Sequence, residues 1–130
     1  IISKFIDAKL KNSKKIKLLG TGKPIREFIH STDLAEAILI CLKLLKKKSK
    51  KVFNFKLPII NVGTGEYISI SNLAKIISKY TSYKGKIMFD KKSPDGTYRK
   101  NLNSSKIKNL GWYPKIKLKD GLKKVIAKRM

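Results

Sequence analysis

Apolar residues along this chain switch repeatedly between the spacing of a helix face and that of a strand, and this alternation restricts the fold to α/β or α+β. The opening stretch carries Ile1, Ile2, Phe5 and Ile6 on one stripe, as a helix already under way would. Ile16-Lys17-Leu18-Leu19 then alternates and stops at Gly20-Thr21-Gly22-Lys23-Pro24, a strand running into a turn. Ile25-Arg26-Glu27-Phe28-Ile29 alternates again, so these two runs are expected to pair as a hairpin.

From Asp33 the spacing becomes helical, with Leu34, Ala37, Ile38, Cys41, Leu42 and Leu45 on one stripe. Asp33 is placed to cap this helix, with Glu36 three residues on. The run Lys46–Lys51 reads as a solvated loop, and Leu57-Pro58-Ile59-Ile60-Asn61-Val62 as a buried strand closed by Gly63-Thr64-Gly65. Ser69 can cap a helix whose inner face is Leu73, Ala74, Ile76, Ile77 and Tyr80. Lys86–Asp90 reads as a further strand, and Ser93-Pro94-Asp95-Gly96 as a turn in which Pro fixes φ and Gly accepts a left-handed geometry. Ser104 opens a short helix closed by Gly111, and Leu118, Leu122, Val125 and Ile126 stripe a terminal one.

Composition narrows what such a chain does. Its 130 residues support one modest core, and 18 Ile with the other large apolar residues argue against disorder. No apolar run reaches the length of a membrane span and nothing at the start resembles a signal peptide, so a soluble, cytoplasmic protein is expected. A single cysteine, Cys41, and a single histidine, His30, leave no disulfide framework or metal cluster. The 32 Lys+Arg against 8 Asp+Glu give a net charge of +24, which taken alone suggests a nucleic-acid or anionic-membrane partner. Yet 29 of those cations are Lys and only Arg26, Arg99 and Arg129 are Arg. Specific nucleic-acid readers rely on Arg, so the excess reads as background composition and a small basic nucleic-acid-binding domain is the lesser alternative.

Several signals have structural explanations. Gly63-Thr64-Gly65 follows an expected strand, but Ile68 stands where a dinucleotide fingerprint needs its third glycine. Tyr80 and Lys84 have the spacing of a catalytic Tyr/Lys pair, although Tyr80 completes an apolar stripe. Cys41 falls in a core stripe, and His30 before a helix suits an orienting or structural role. The scarce arginines stand out instead: Arg26 follows one Gly-rich turn and Arg99 another, places where a guanidinium fork can meet an anionic small molecule.

Taken together, Gly20-Thr21-Gly22-Lys23-Pro24-Ile25-Arg26-Glu27-Phe28-Ile29-His30, Asp33-Leu34-Ala35-Glu36-Ala37 and Ile60-Asn61-Val62-Gly63-Thr64-Gly65-Glu66 resemble the C-terminal part of extended short-chain dehydrogenases/reductases of the NAD-dependent epimerase/dehydratase family, which act on nucleotide sugars. Ser93–Lys100 with Leu110-Gly111-Trp112 is similar, more specifically, to the GDP-L-fucose synthase group. This resemblance implies a Rossmann-like parent that uses NADP(H) for the 3,5-epimerisation and 4-reduction of GDP-4-keto-6-deoxy-D-mannose and works as a homodimer. The chain, which begins with Ile, is expected to be a fragment of it, without catalytic or cofactor-binding residues and inactive without its N-terminal cofactor domain. Another nucleotide-sugar epimerase or dehydratase is the alternative.

By position, the resemblance assigns GDP-sugar contacts to Lys4, Leu19, Arg26, Asp95 and Lys100. Arg26 and Lys100 match the family pattern, Lys4 stands where a basic residue is usual, and Leu19 replaces a usual Trp. Lys117 takes the place of a helix-capping Ser or Thr, a loss of about 1 kcal/mol unless compensated. The implied organisation is a substrate-lobe helix and hairpin at 1–29, a helix and strand returning to the cofactor-domain sheet at 30–62, and the substrate-binding lobe at 63–130.

Overall fold

Helices and strands are interspersed along the chain, as an α/β or α+β protein requires. The computed structural model describes residues 1–46 and 59–130, with α1 (Ile2–Leu10), β1 (Lys15–Leu19), β2 (Ile25–Glu27), α2 (Ser31–Lys46), β3 (Tyr67–Ser69), α3 (Ile70–Thr81), β4 (Lys86–Asp90), α4 (Ser105–Asn109) and α5 (Leu118–Ala127). They form two compact units, one of Ile1–Arg26, Tyr67–Lys100 and Lys119–Met130, the other of Glu27–Glu66 and Asn101–Leu118.

The first unit is built on β1 and β4, paired in parallel from Lys15↔Lys86 to Leu19↔Asp90. Along β1, Ile16 and Leu18 point inward while Lys15 and Lys17 stay exposed, so the alternating sequence sets which face is buried. That face joins a core of Phe5 and Ile6 from α1, Leu73, Ala74 and Ile77 from α3, and Leu122 and Ile126 from α5. Tyr83 meets Phe5 edge-to-face with centroids 5.6 Å apart, and its hydroxyl donates to the Ser13 carbonyl at 3.0 Å. Ser69 caps α3 as expected, its hydroxyl accepting from the Asn72 amide at 3.2 Å.

The expected hairpin does not form. After Leu19 the Gly20 amide still donates to Asp90 O at 3.1 Å, prolonging the parallel ladder. β2 then pairs with β3, while the Ile25 amide donates to Tyr98 O at 2.8 Å. The Gly-rich linker, with Gly20 and Gly22 at φ +79° and +77°, therefore carries the chain away from β1 instead of folding it back.

In the second unit Ala37, Ile107 and Trp112 are buried together, flanked by Ile29, Ile40, Cys41, Ile60, Val62 and Leu110. Residues 101–118 thus share a unit with α2 and with 63–66, not with 67–100 and 119–130. Cys41 acts as a small half-buried apolar group, and burial pushes its thiol pKa up.

Asp33 does not cap α2. The helix begins at Ser31, where His30 Nδ1 accepts the Thr32 amide at 3.2 Å, a structural use of the ring. Asp33, only 1% exposed, turns its Oδ2 to the Lys115 and Ile116 amides at 3.1 and 2.9 Å, while its carbonyl accepts Trp112 Nε1–H at 3.1 Å. Glu36 pairs with Lys115 at 2.7 Å rather than closing a capping box.

The expected core stripe of α2 is also corrected. Leu34, Ile38, Leu42 and Leu45 are exposed, and the buried side turns through Ala37 with Ile40 and Cys41 half-buried beside it. Residues 57–58 of the expected strand lie outside the described residues, and Ile59–Val62 is not in a ladder. It is held instead by Lys106 Nζ on Ile59 O at 3.3 Å and Asn61 Nδ2 on Asn103 O at 3.4 Å. Lys46 is the last residue of α2, and the rest of the lysine run lies outside the described residues.

Replacing Asp33 by Ala removes the acceptor of two amides, and the expected loss is about 2–3 kcal/mol of unfolding free energy. Asp33→Asn, which keeps an acceptor oxygen, should lose less. Denaturant unfolding followed by Trp112 fluorescence measures both.

Candidate functional site

Because β1 and β4 are parallel, both end at the same edge, the usual position of a ligand crevice in a parallel sheet. The Gly20–Pro24 linker leaves from one strand and the Lys91–Lys100 segment from the other. Asp95 ties them together: its Oδ1 accepts the Thr21 amide at 2.6 Å and its Oδ2 the Thr21 hydroxyl at 2.5 Å, between residues 74 apart in sequence. The Thr21 hydroxyl in turn accepts the Lys23 amide at 3.2 Å. A Cβ on Gly20 would collide with Asp95 Oδ1, so the close approach requires glycine there. Gly22 likewise leaves room for the Phe89 ring.

Those two bonds from Thr21, the hydroxyl first and then the amide, hold the Asp95 pKa below the usual carboxylate range, aided by Lys23 and Arg26. Both carboxylate oxygens are thus engaged within the chain, and Asp95 positions a loop. Thr21 is the partner that sequence reasoning passed over. Its only sequence signal is a hydroxyl between two glycines, which many turns carry.

Arg26 lies on β2 beside this clamp. Its Nη1 donates to its neighbour's carbonyl, Ile25 O, at 2.7 Å and to Tyr98 O at 3.4 Å. These carbonyls fix the guanidinium yet take only part of its five N–H donors. Arg99 forms a parallel bridge with Ile25, and its Cζ lies 5.5 Å from the centroid of the Tyr67 ring. Lys100 follows directly and is exposed, as is Leu19 at the end of β1, which is 71% exposed. Arg26, Asp95 and Lys100 therefore belong to segments that the parallel edge brings together. Lys4 is anchored further back: its ammonium donates to Lys17 O, within β1, at 2.8 Å. Beside it, Lys17 pairs with Asp90 at 2.7 Å, which with the Lys92 amide lowers the Asp90 pKa.

The remaining signals resolve into structure. Gly63-Thr64-Gly65 surrounds an acid: Glu27 Oε1 accepts the Gly65 amide at 2.5 Å and the Thr64 hydroxyl at 3.3 Å, and a Cβ on Gly63 would meet that carboxylate at 2.7 Å. A carboxylate lodged there repels phosphate, so these residues do not fit the pyrophosphate of a dinucleotide. Tyr80 has Lys123 rather than Lys84 over its ring, at 5.6 Å. The lost cap at Lys117 is compensated by Glu66, whose Oε2 accepts the Leu118 amide at 3.2 Å.

An open hollow of about 560 Å³ lies at the opposite end of the β1–β4 pair, with Lys9, Lys14, Lys84 and Lys86 on its walls. Among the described residues no group of three His, Cys, Asp or Glu could hold a metal, and no helix is long and apolar enough to cross a membrane.

The family described as "NAD dependent epimerase/dehydratase family" matches residues 1–62. Relatives point more narrowly. A "Probable GDP-L-fucose synthase 1" of Oryza sativa subsp. japonica is 38% identical over 94% of this chain and 34% of its own length. The GDP-L-fucose synthase of Escherichia coli (strain K12) is 38% identical over 94% of this chain and 38% of its own. A solved structure of a GDP-mannoheptose C4 reductase from Campylobacter jejuni with NADP bound superposes with a TM-score of 0.77 at 33% identity, covering 98% of this chain and 43% of that one.

The chain is thus related to nucleotide-sugar members of the epimerase/dehydratase family, with their Rossmann-like α/β fold, as its motifs suggest. Within that family its similarity runs to the GDP-L-fucose synthases along nearly its whole length. It spans about a third of the length of those curated relatives.

The Asp95–Thr21 clamp needs an ionised carboxylate. With its pKa lowered on folding, the clamp's contribution is complete above the ordinary carboxylate pKa and is lost as pH falls through the depressed value. The Thr21 amide resonance is expected to hold its position from neutrality to about pH 4 and to move only below it. Titration of that resonance between pH 7 and 5 would contradict the clamp.

Proposed function

We propose that this chain is the C-terminal, substrate-binding part of a GDP-L-fucose synthase-like enzyme, one that makes GDP-L-fucose by NADPH-dependent 3,5-epimerisation and 4-reduction of GDP-4-keto-6-deoxy-D-mannose. The observation that carries this reading is the clamped edge, where the Gly20–Arg26 and Ser93–Lys100 motifs are held side by side. Arg26 and Lys100 neutralise the diphosphate, Arg26 through the rest of its fork and Lys100 as a point charge. Lys4 and Leu19 line the path of the sugar, and Asp95 shapes the site through Thr21. The names of the relatives support a GDP-linked substrate.

The cofactor belongs to an N-terminal domain, consistent with the Glu27-filled glycine turn. Leu34, Ile38, Leu42 and Leu45 give α2 a continuous exposed apolar face, larger than scattered surface residues would be. That face and Ile59–Val62 pack on the cofactor domain in this reading. The same arrangement leaves residues 67–100 and 119–130 with the substrate lobe. A GDP-heptose reductase is the second reading, favoured by the Campylobacter structure and by Leu19 in the place of an aromatic residue.

Arg26→Ala is expected to weaken GDP binding, measured by calorimetry, roughly tenfold or more, the loss of one charge-assisted hydrogen-bond pair. Unchanged affinity would count against the assignment. The chain on its own is expected not to oxidise NADPH in the presence of a GDP-4-keto sugar, and steady turnover by the purified chain would overturn that expectation.

A further inference from the structure

The Tyr67–Arg99 pair has no part in the core. Tyr67 is 38% exposed on the short strand β3, Arg99 is exposed, and the guanidinium carbon lies 5.5 Å from the ring centroid. Both ends of the pair are fixed from the backbone: β3 pairs with β2, and Arg99 bridges Ile25 of the same strand. Arg26 follows Ile25 and Lys100 follows Arg99, so the pair sits beside the two cations assigned to the diphosphate. In a chain with 29 Lys and 3 Arg, an Arg at this point matters chemically. Only the guanidinium is planar, and a plane laid over one ring can stack against a second, which an ammonium cannot do.

We propose that Tyr67 and Arg99 form the nucleobase platform of the site, the base of a nucleoside diphosphate stacking on Arg99 while Tyr67 holds the guanidinium flat. This rests on the nucleotide-sugar reading and deepens it by separating two tasks. Arg26 and Lys100 meet the charge, which every phosphate ligand has, and the Tyr67–Arg99 pair meets the base.

Titrating the chain and its variants with GDP and with inorganic pyrophosphate separates the two tasks. Tyr67→Leu is expected to weaken GDP binding about tenfold, the scale of one lost base stack, and to leave pyrophosphate affinity unchanged. That unchanged affinity also shows that the variant is folded. Arg99→Lys, which keeps the charge and loses the plane, should behave likewise, and Tyr67→Phe should bind both ligands as the parent chain does. If Arg26→Ala weakens both ligands while Tyr67→Leu leaves GDP untouched, the platform is wrong and the site reading stands. Equal loss of GDP and pyrophosphate in Tyr67→Leu overturns the platform as well, since the ring would then be supporting the fold or the cations. If Arg26→Ala changes neither ligand, the nucleotide-sugar reading fails and the platform fails with it.

Discussion

Parallel pairing of β1 with β4 is the constraint from which the rest of the first unit follows. Parallel strands need a long crossover between them, and here it includes β2, α2, β3 and α3. Because both strands run the same way, the segments that follow them leave from one edge. The Gly20–Pro24 linker and the Lys91–Lys100 segment are neighbours for that reason alone. A β1–β2 hairpin would have turned Arg26 back along β1 and away from Lys100. Asp95 then fixes the spacing of the two loops through the amide and hydroxyl of Thr21.

In a chain with 32 cations, the 8 acidic residues say more about structure than the basic ones do. Six of them have a defined task. Asp95 holds Thr21, Asp90 pairs with Lys17, Glu27 fills the Gly63–Gly65 turn, Asp33 accepts the Lys115 and Ile116 amides, Glu36 pairs with Lys115, and Glu66 accepts the amide at the start of α5. Five of the six accept main-chain N–H groups, bonds that cost most to remove where, as at Asp33, the acceptor is buried. The exposed ion pairs, Lys17–Asp90 and Lys115–Glu36, contribute little by comparison.

Local chemistry in the sequence indicated α1, α3, β1, β4 and the Ser69 cap, because each depends on spacing and near neighbours. Partner choice was hidden. Ile16–Leu19 and Ile25–Ile29 read equally well as a hairpin, and only the competing pairing of β4 and of Tyr98 decides against it. Asp33 had the position of a helix cap, but its acceptor capacity went to amides more than 80 residues away. The α2 stripe was periodic without revealing which of its faces meets this chain. Arg26 was legible as a scarce arginine after a glycine-rich turn and Asp95 and Lys100 through motif resemblance, whereas Thr21, Tyr67 and Glu66 matter through contacts that no local pattern encodes.

Mapping GDP onto the chain by amide chemical-shift perturbation tests the account most directly. If the shared edge of β1 and β4 forms the site, the shifts concentrate at Thr21, Arg26, Tyr67, Arg99 and Lys100 and leave Lys9, Lys14, Lys84 and Lys86 unmoved. Shifts centred on those four lysines, at the opposite end of the strand pair, would mean that general basic charge rather than the clamped edge recognises the ligand, and would contradict it.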